Sequence, residues 1–421
     1  MISIGYGENL SYSKGVFLQN DIMKVCFISS FYPPLLFGGA EIYVRRISER
    51  LVRQGIDVTV ITSDSKISLK PSIEYINGVK IYRIHPLNIY PIYNTLCKPA
   101  ILKPFWYIID IVNVHSYFVI KKILNKEKPD IVHVHNFKGF SFAFDAARSL
   151  HLPLIFTVHD YFFECLKETL FTHSHEICKD PPAVCKAYAW TQKFLKNNKP
   201  DIVTAPSMFV IKKMKKDGFF NKCRTLKLPL GIELDGTEKY DRSYEIINVL
   251  FVGRLNRFKG LNTLITAFTQ LKSQKAHLHI VGEGKEEAEL KKLAGADPAI
   301  TFHGFIKDEE LASLYKKSHL LVVPSVWYET FGIVIIEGFK YGLPVIASNI
   351  GGFPELIDDG DNGLLFEAGN TEQLRKKLEY LIGNPLEIKR MSDHAFTTAQ
   401  KYSMDEHIRK LTCLYNEVIR R

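Results

Sequence analysis

Two carboxylates, Glu329 and Glu337, stand with seven residues between them in the stretch Pro324 to Gly338. The first lies among Thr330, Phe331 and Gly332, a loop composition. The second follows Val334, Ile335 and Ile336, an apolar run that reads as a mostly buried helix. A wholly helical spacing would set them about 12 Å apart along the axis, and the glycine and aromatic residues bend that path. The arrangement argues against the paired acids of a hydrolase. A carboxylate on a buried helix needs hydrogen-bond donors. Vicinal ribose hydroxyls would supply two such donors to Glu337, and Glu329 could grip a second polyol such as a sugar. The plain alternative is one capping acid and one solvated acid.

Other residues with chemical potential sit at similar places. Gly38-Gly39-Ala40-Glu41 follows a strand and a proline loop and opens a helix, where backbone N–H groups can approach an anion. Gly253-Arg254-Leu255, with Lys259-Gly260 beyond it, brings a guanidinium and an ammonium to one helix start, a pair suited to a diphosphate. Thr157-Val158-His159-Asp160 and His133-Val134-His135-Asn136 each end a strand, and histidines there can hydrogen-bond a sugar or hold a proton. His159 is the stronger choice because Asp160 follows it, and His135 comes second. Gly282-Glu283-Gly284 offers backbone to a base or ribose, or is a simple strand-to-helix turn. Gly351-Gly352-Phe353-Pro354-Glu355 is a turn with scope for similar contacts.

The elements that must hold these groups read as two successive α/β halves. Lys24–Ser29, Asp57–Thr62, Val79–Ile84, Asp130–His135, Leu154–His159 and Asp201–Ala205 have strand character. So do Asn248–Gly253, Leu278–Val281, Ile300–His303, Leu320–Val323 and Pro344–Ala347. Helical periods fall between several of them, as at Ala40, Val44, Ile47 and Leu51. Lys-Pro-Asp precedes a strand at 128–130 and again at 199–201, which is turn chemistry rather than a repeat. Alternating strands and helices predict two parallel, doubly wound sheets whose strand ends face each other across a cleft. The expected parts are an extension at 1–22 that is disordered or foreign to the native chain, a first domain at 23–230, a linker at 231–245, a second domain at 246–402 and a final helix at 403–421.

The chain of 421 residues carries a net charge of +10. Residues 1–230 hold 31 Lys and Arg against 18 Asp and Glu, a net +13, and the remainder holds 24 against 27, a net −3. A basic first half suggests that it meets an acidic surface. Lys212, Lys213, Lys215 and Lys216 on one helix read either as a contact for an anionic membrane or as a solvated face. No nucleic-acid module is recognisable, so nucleic acid is not an expected partner. No apolar run reaches the length of a membrane span, and the first 20 residues lack the pattern of a secretory signal. Seven cysteines in a chain of this size do not make a disulfide scaffold, and reduced thiols in the cytoplasm fit best.

In this order, Gly-Gly-Ala-Glu, Gly-Arg-Leu with Lys-Gly, Pro-Ser with Glu329 and Glu337, and Gly-Gly-Phe-Pro-Glu resemble a GT-B-fold glycosyltransferase of retaining family 4. The resemblance spans about residues 23–421 and is most specific at the glutamate segment and the Arg254/Lys259 pair. It implies two Rossmann-like domains around a central cleft, with the last helix returning to the first domain. By that resemblance Glu337 holds the nucleotide ribose and Glu329 touches the donor sugar. Backbone around Phe331 and Gly332, flanked by Thr330 and Ile333, supports that sugar. Arg254 and Lys259 bind the diphosphate, with Gly39, Gly253, Gly282 and Glu283 nearby. His159 lies beside the sugar, and Glu41, His135 and Asp160 are candidates for sugar or acceptor contact.

The implied reaction moves a sugar from a nucleotide-sugar co-substrate to a glycan or lipid-linked acceptor, with retention, in surface polysaccharide assembly. It needs no cofactor, because two cations and a helix N-terminus can offset the charge of a departing diphosphate without a metal. No acidic ligand set suited to Mg²⁺ is recognisable. Cys165, Cys178 and Cys185, with His173 and His175, form a set that could hold zinc. Some relatives carry four cysteines here; this chain has Tyr188 at the fourth position, and an acceptor-binding loop is the preferred reading. A nucleotide-dependent dehydrogenase would need Gly-x-Gly-x-x-Gly after the first strand, where a proline loop stands instead. A catalytically inactive partner of the same fold is the other alternative. The expected location is the cytoplasm, including the inner face of the membrane.

Overall fold

The computed structural model describes residues 22–35, 38–96, 99–172, 176–234, 240–271 and 273–420. Nearly all of the expected extension at 1–22 lies outside them, as does part of the expected linker. In the N-terminal half the strands are β1 (Lys24–Ile28), β2 (Asp57–Ser63), β3 (Ser72–Ile76), β4 (Val79–Ile84), β5 (Ile131–Val134), β6 (Leu154–Thr157), β7 (Ile202–Ala205) and β8 (Arg224–Lys227). They form one sheet in the order β3-β4-β2-β1-β5-β6-β7-β8. The helices of this half are α1 (Gly39–Arg53), α2 (Lys103–Ile111), α3 (Val114–Glu127), α4 (Ala143–Arg148), α5 (Ala183–Lys196) and α6 (Met208–Lys216).

The C-terminal half holds β9 (Ile247–Val252), β10 (Ala276–Val281), β11 (Ile300–Gly304), β12 (Leu320–Val323), β13 (Val345–Ser348) and β14 (Gly363–Phe366). They run parallel in the order β11-β10-β9-β12-β13-β14. Its helices are α7 (Leu261–Leu271), α8 (Glu287–Ala294), α9 (Asp308–Lys317), α10 (Ile333–Lys340), α11 (Thr371–Ile382) and α12 (Pro385–Gln400). They are followed by α13 (Met404–Ile419).

The N-terminal sheet departs from the expected all-parallel form at one edge. β3 pairs antiparallel with β4 through a hairpin at Asn77-Gly78, both residues having positive φ. Asn-Gly supplies the turn whose twist matches the flanking strands. The two Lys-Pro-Asp turns do more than open strands. Asp130 accepts a hydrogen bond from the backbone of Lys24 at 2.7 Å, and Asp201 accepts one from Leu154 at 2.8 Å, so each aspartate anchors the neighbouring strand.

Alternation along β1 sends Val25 and Phe27 to one face of the sheet and Cys26 and Ile28 to the other. The first face is part of a core common to both halves. It takes in Tyr43, Ile47 and Leu51 of α1, Ile408, Leu411 and Tyr415 of α13, and Ile335, Ile336 and Phe339 of α10. α13 therefore lies back on the N-terminal sheet, with Ser403 capping its start at the N–H of Glu406. Its surface ends are tied by Arg50 to Asp405 and by Arg224 to Glu417. Exposed pairs of this kind contribute little, so burial of the apolar face holds the helix. The carboxyl ends of both sheets consequently meet along one line.

Candidate active site

In the C-terminal half the strand order reverses between β9 and β12, the place where open α/β sheets bind ligands. The loop after β9 contains Gly253 and Arg254 and closes in a single turn at Arg257–Lys259. The loop after β12 runs from Pro324 to Gly332. The two are zipped together by a bond from the N–H of Val326 to the carbonyl of Phe258, 2.9 Å. They approach so closely that a Cβ on Gly260 (φ +68°) would lie 1.9 Å from the carbonyl oxygen of Pro324. Gly282 (φ +130°) makes the same approach to the carbonyl of Gly253, also at 1.9 Å. Only glycine permits that contact and that backbone at either position.

This packing brings Lys259 Nζ to 2.5 Å from Glu329 Oε1, which also accepts from Ser325 Oγ at 2.9 Å. The ring of Trp327 lies below the ammonium, 5.7 Å from centroid to Nζ. An ammonium has three donors, and Glu329 takes one. Glu337 lies on α10, deep enough that burial raises its pKa; Arg46 of α1 and Lys340 oppose the rise. Its neutral form can donate and its ionised form can accept two hydroxyls. Arg254 is exposed at its loop, with its charge felt at Glu41 on α1. Glu283 is also exposed, its backbone carbonyl holding the N–H of Leu255 at 2.9 Å. Beyond β11 the surface has a shallow, open depression lined by Phe305, Ile306, Lys307, Glu309 and Glu310.

In the N-terminal half, Gly38 precedes α1 and Glu41 is buried in its first turn. Among the described residues no donor reaches Glu41 Oε2. Burial raises its pKa, while backbone N–H groups of Glu41 and Gly38 pull it back. His159 Nε2 lies 3.0 Å from His135 Nδ1. Burial, helped by His407, pushes the pKa of His159 down to about 3, so the ring is neutral at pH 7. It can hydrogen-bond a sugar but holds no proton to spare at that pH. Burial raises the pKa of Asp160, and Glu168 adds to the effect; its carboxylate accepts from the N–H of Phe162 at 2.8 Å.

The two halves touch at these loops. Thr330 Oγ1 donates to the backbone carbonyl of His159 at 3.1 Å, and Ser207 Oγ donates to the carbonyl of Thr330 at 2.7 Å. Glu355, at the end of the Gly-Gly-Phe-Pro-Glu turn, accepts from the N–H groups of Met208 and Phe209 at 2.8 and 2.7 Å. It also pairs with Lys227 at 2.7 Å. A carboxylate of the C-terminal half thus caps α6 of the N-terminal half. Phe209 and Tyr328 pack beside this clasp, 5.1 Å between centroids.

Residues 239–398 match the family model Glycosyl transferases group 1, and residues 37–235 match Glycosyltransferase Family 4. The chain belongs to the family 4 glycosyltransferases. It is 26% identical over 373 residues to an uncharacterized glycosyltransferase of Methanocaldococcus jannaschii, covering 84% of this chain and 87% of that one. An uncharacterized 42.6 kDa protein in the cps region of Klebsiella pneumoniae is 27% identical over 339 residues, 79% of this chain and 87% of the relative. Among solved structures, Anabaena HepE in complex with UDP and glucose superposes with a TM-score of 0.69 at 18% identity, over 94% of this chain and 99% of that one. The fold is GT-B.

Of the residues singled out from the sequence of this glycosyltransferase, the structure joins Lys259 to Glu329 and Thr330 to His159, and His135 to His159. Gly253 and Gly282 act through backbone contact. Phe331 is buried in the common core, and Gly332 (φ +102°) leads into Ile333 at the start of α10. Gly39 begins α1, and a Cβ there would meet nothing within 4 Å. Arg254 and Glu283 are at the rim. The sequence reading gave no role to Ser207, Trp327 or Arg46, and used Ser325 only as part of the Pro-Ser motif. Ser325 and Trp327 had a local signal, four and two residues before Glu329 in the same loop, whereas Ser207 and Arg46 had none.

The zinc alternative finds no assembled ligand set among the described residues, and the reading of one lysine changes. Among the described residues no group of three or more His, Cys, Asp and Glu is placed to hold a metal ion. Burial raises the thiol pKa of Cys165 and Cys185, against the thiolate a metal requires, and the neighbouring thiol of Cys178 adds to both shifts. Tyr188 is a core residue whose hydroxyl donates to the carbonyl of Phe162 at 2.7 Å. His173 and His175 lie outside the described residues. Lys213, counted with the basic face of α6, turns inward to Glu164 at 3.1 Å and Asp217 at 2.5 Å.

Proposed function

We propose that this glycosyltransferase moves a hexose from a nucleoside diphosphate sugar to a glycan or lipid-linked acceptor, with retention of anomeric configuration. The observation that carries the reading is the Lys259–Glu329–Ser325 knot at the reversal of the C-terminal sheet, with Thr330 tying the same loop to His159. Lys259, held by Glu329, keeps donors for a diphosphate oxygen, and Arg254 adds a second cation to neutralise the leaving group. Glu337 receives the ribose hydroxyls. Phe305 and the adjoining backbone offer the base a seat. Glu329, the backbone N–H groups at Phe331–Ile333 and neutral His159 line the sugar, with Glu41, Asp160 and His135 on the acceptor side. Positive side chains and the start of α10 make a metal dispensable.

The solved complex of HepE with UDP and glucose supports a uridine donor. The cps-region relative supports a place in surface polysaccharide assembly, which would put the reaction in the cytoplasm. The alternative is a partner that binds nucleotide sugar without turnover. A thermal-shift series with UDP, GDP, ADP and their sugar conjugates, with and without EDTA, tests the reading. A nucleotide at about one hundred times its dissociation constant adds about 2.7 kcal/mol. The expected result is a base-selective rise that survives EDTA, followed by turnover with the matching sugar conjugate. No rise at millimolar nucleotide, or a rise abolished by EDTA, would overturn the metal-free donor site; binding without turnover on any acceptor favours the inactive partner.

A further inference from the structure

α2 and α3 turn apolar side chains toward water, where a helix of a globular protein ordinarily presents polar ones. Phe105 and Ile108 on α2 and Val112 just past its end are 59%, 60% and 59% exposed, and Phe118 on α3 is 64% exposed. The opposite side of α2 is already filled by buried Trp106 and Asp110. From Pro99 to Lys126 the only carboxylate is that buried Asp110, whereas Lys103, Lys121, Lys122 and Lys126 are all cationic. Lys122 is exposed one turn from Phe118. α5 touches α2 through Tyr188, packed 6.3 Å from Tyr107. It exposes Trp190 and Phe194, whose rings stack at 6.0 Å.

We propose that this face of α2, α3 and α5 is a seat for an anionic lipid bilayer. The aromatic and aliphatic side chains enter the interfacial layer and the lysines stay among the headgroups. No described helix is long and apolar enough to cross a membrane, so the contact lies on the surface. The charge pattern selects a bilayer over a second copy of the chain: a two-fold interface would set the same lysines against one another with no exposed acid on these helices to pair them. The face borders the N-terminal side of the cleft. Tyr107 donates to the carbonyl of Leu166 at 2.8 Å and packs 6.2 Å from Phe162, in the loop that carries His159 and Asp160. Bilayer contact would therefore bring the acceptor side of the site to the membrane and select a lipid-linked acceptor. That last consequence rests on the transferase reading; the seat does not.

Flotation of the full chain with vesicles of phosphatidylcholine, and of phosphatidylcholine mixed with phosphatidylglycerol, tests the seat. Binding is expected to the mixed vesicles, with loss in high salt as the charges are screened. Phe105→Ser with Ile108→Ser, and separately Trp190→Ser with Phe194→Ser, should each lower partitioning at least about tenfold. Each pair should leave the nucleotide-induced thermal shift intact, which certifies the fold. No vesicle binding by the wild type, or binding indifferent to both pairs, would overturn the proposal. So would a wild-type dimer in sedimentation that the substitutions dissociate while vesicles remain unbound. Vesicle binding without any nucleotide shift would sink the transferase reading and leave the seat standing.

Discussion

The two halves of the site are built on different principles. On the C-terminal side, loops lie backbone on backbone, with Gly260 against Pro324 and Gly282 against Gly253, and charged side chains are fixed by neighbours close in space. On the N-terminal side the strand ends carry buried neutral rings. His133 lies between Tyr415 at 2.8 Å and Thr157 at 2.6 Å, and His407 reaches Tyr43 at 2.6 Å. Its Nδ1 faces the carbonyl of Pro229 at 2.7 Å, so that nitrogen carries the hydrogen and Nε2 accepts from Tyr43. One side is a rigid charged frame; the other is a polar network locked under a returning helix. Under the proposed function, the first would suit a constant, multiply charged donor, and the second would leave acceptor recognition to surrounding loops.

Breaking the frame should have the largest effect. Gly260→Ala adds a Cβ at 1.9 Å from a carbonyl in left-handed backbone, and should cost about 2–4 kcal/mol in chemical denaturation. Gly39→Ala, with open space around its Cβ, should change stability by only about a few tenths of that. Equal effects would remove the distinction between the halves. Next come Lys259→Ala and Glu337→Ala. Each should lower turnover at least tenfold, about 1.4 kcal/mol of transition-state stabilisation, with the unfolding midpoint largely kept. Full turnover by either with the natural donor would disprove its assignment.

Glu355→Ala removes the cap shared between the halves and should cost about 1 kcal/mol. Burial pushes the Glu355 carboxyl up, but Lys227 and the α6 N–H groups bring it below the usual range. Stability measured across pH should show the loss at neutral pH and its disappearance in acid. The last comparison concerns the network and is read from the slope of stability with pH. Burial lowers the pKa of His407 to about 4 from the usual 6.5. The unfolded chain therefore binds the extra proton between those values. The stabilisation of the neutral ring is complete above pH 6.5 and fades as pH falls toward 4. Asp110, raised to about 7 by burial, acts with the opposite sign in acid, so the informative quantity is the difference between variants. His407→Gln should reduce the slope of unfolding free energy by up to about 1.4 kcal/mol per pH unit between pH 4 and 6.5. An unchanged slope would mean the ring titrates normally.

Every strand named from the sequence is present, because each is a short apolar run bounded by turn residues. β3, β8 and β14 were missed. β8 (Arg-Thr-Leu-Lys) has charged ends and a single apolar residue, β14 is a brief apolar run that starts on a glycine straight after an acidic turn, and β3 is largely exposed at the sheet edge. Asn77-Gly78 was the available signal for β3. In the site, Glu329, Lys259 and Glu337 were legible because glycine, charge and strand end occur together in short segments. The union of Thr330 with His159 was not, since 171 residues separate them.

The sequence by itself determined two α/β halves, the carboxyl-end loops and the charged groups those loops carry. These follow from local rules: burial sets strand pattern, and glycine and proline set turns. Only the tertiary structure decided which groups meet. Tyr43 and His407 are 364 residues apart, and Glu355 caps a helix 146 residues before it. Such pairs depend on how two sheets are oriented by their common core, a property of packed surfaces that no short stretch of chain contains.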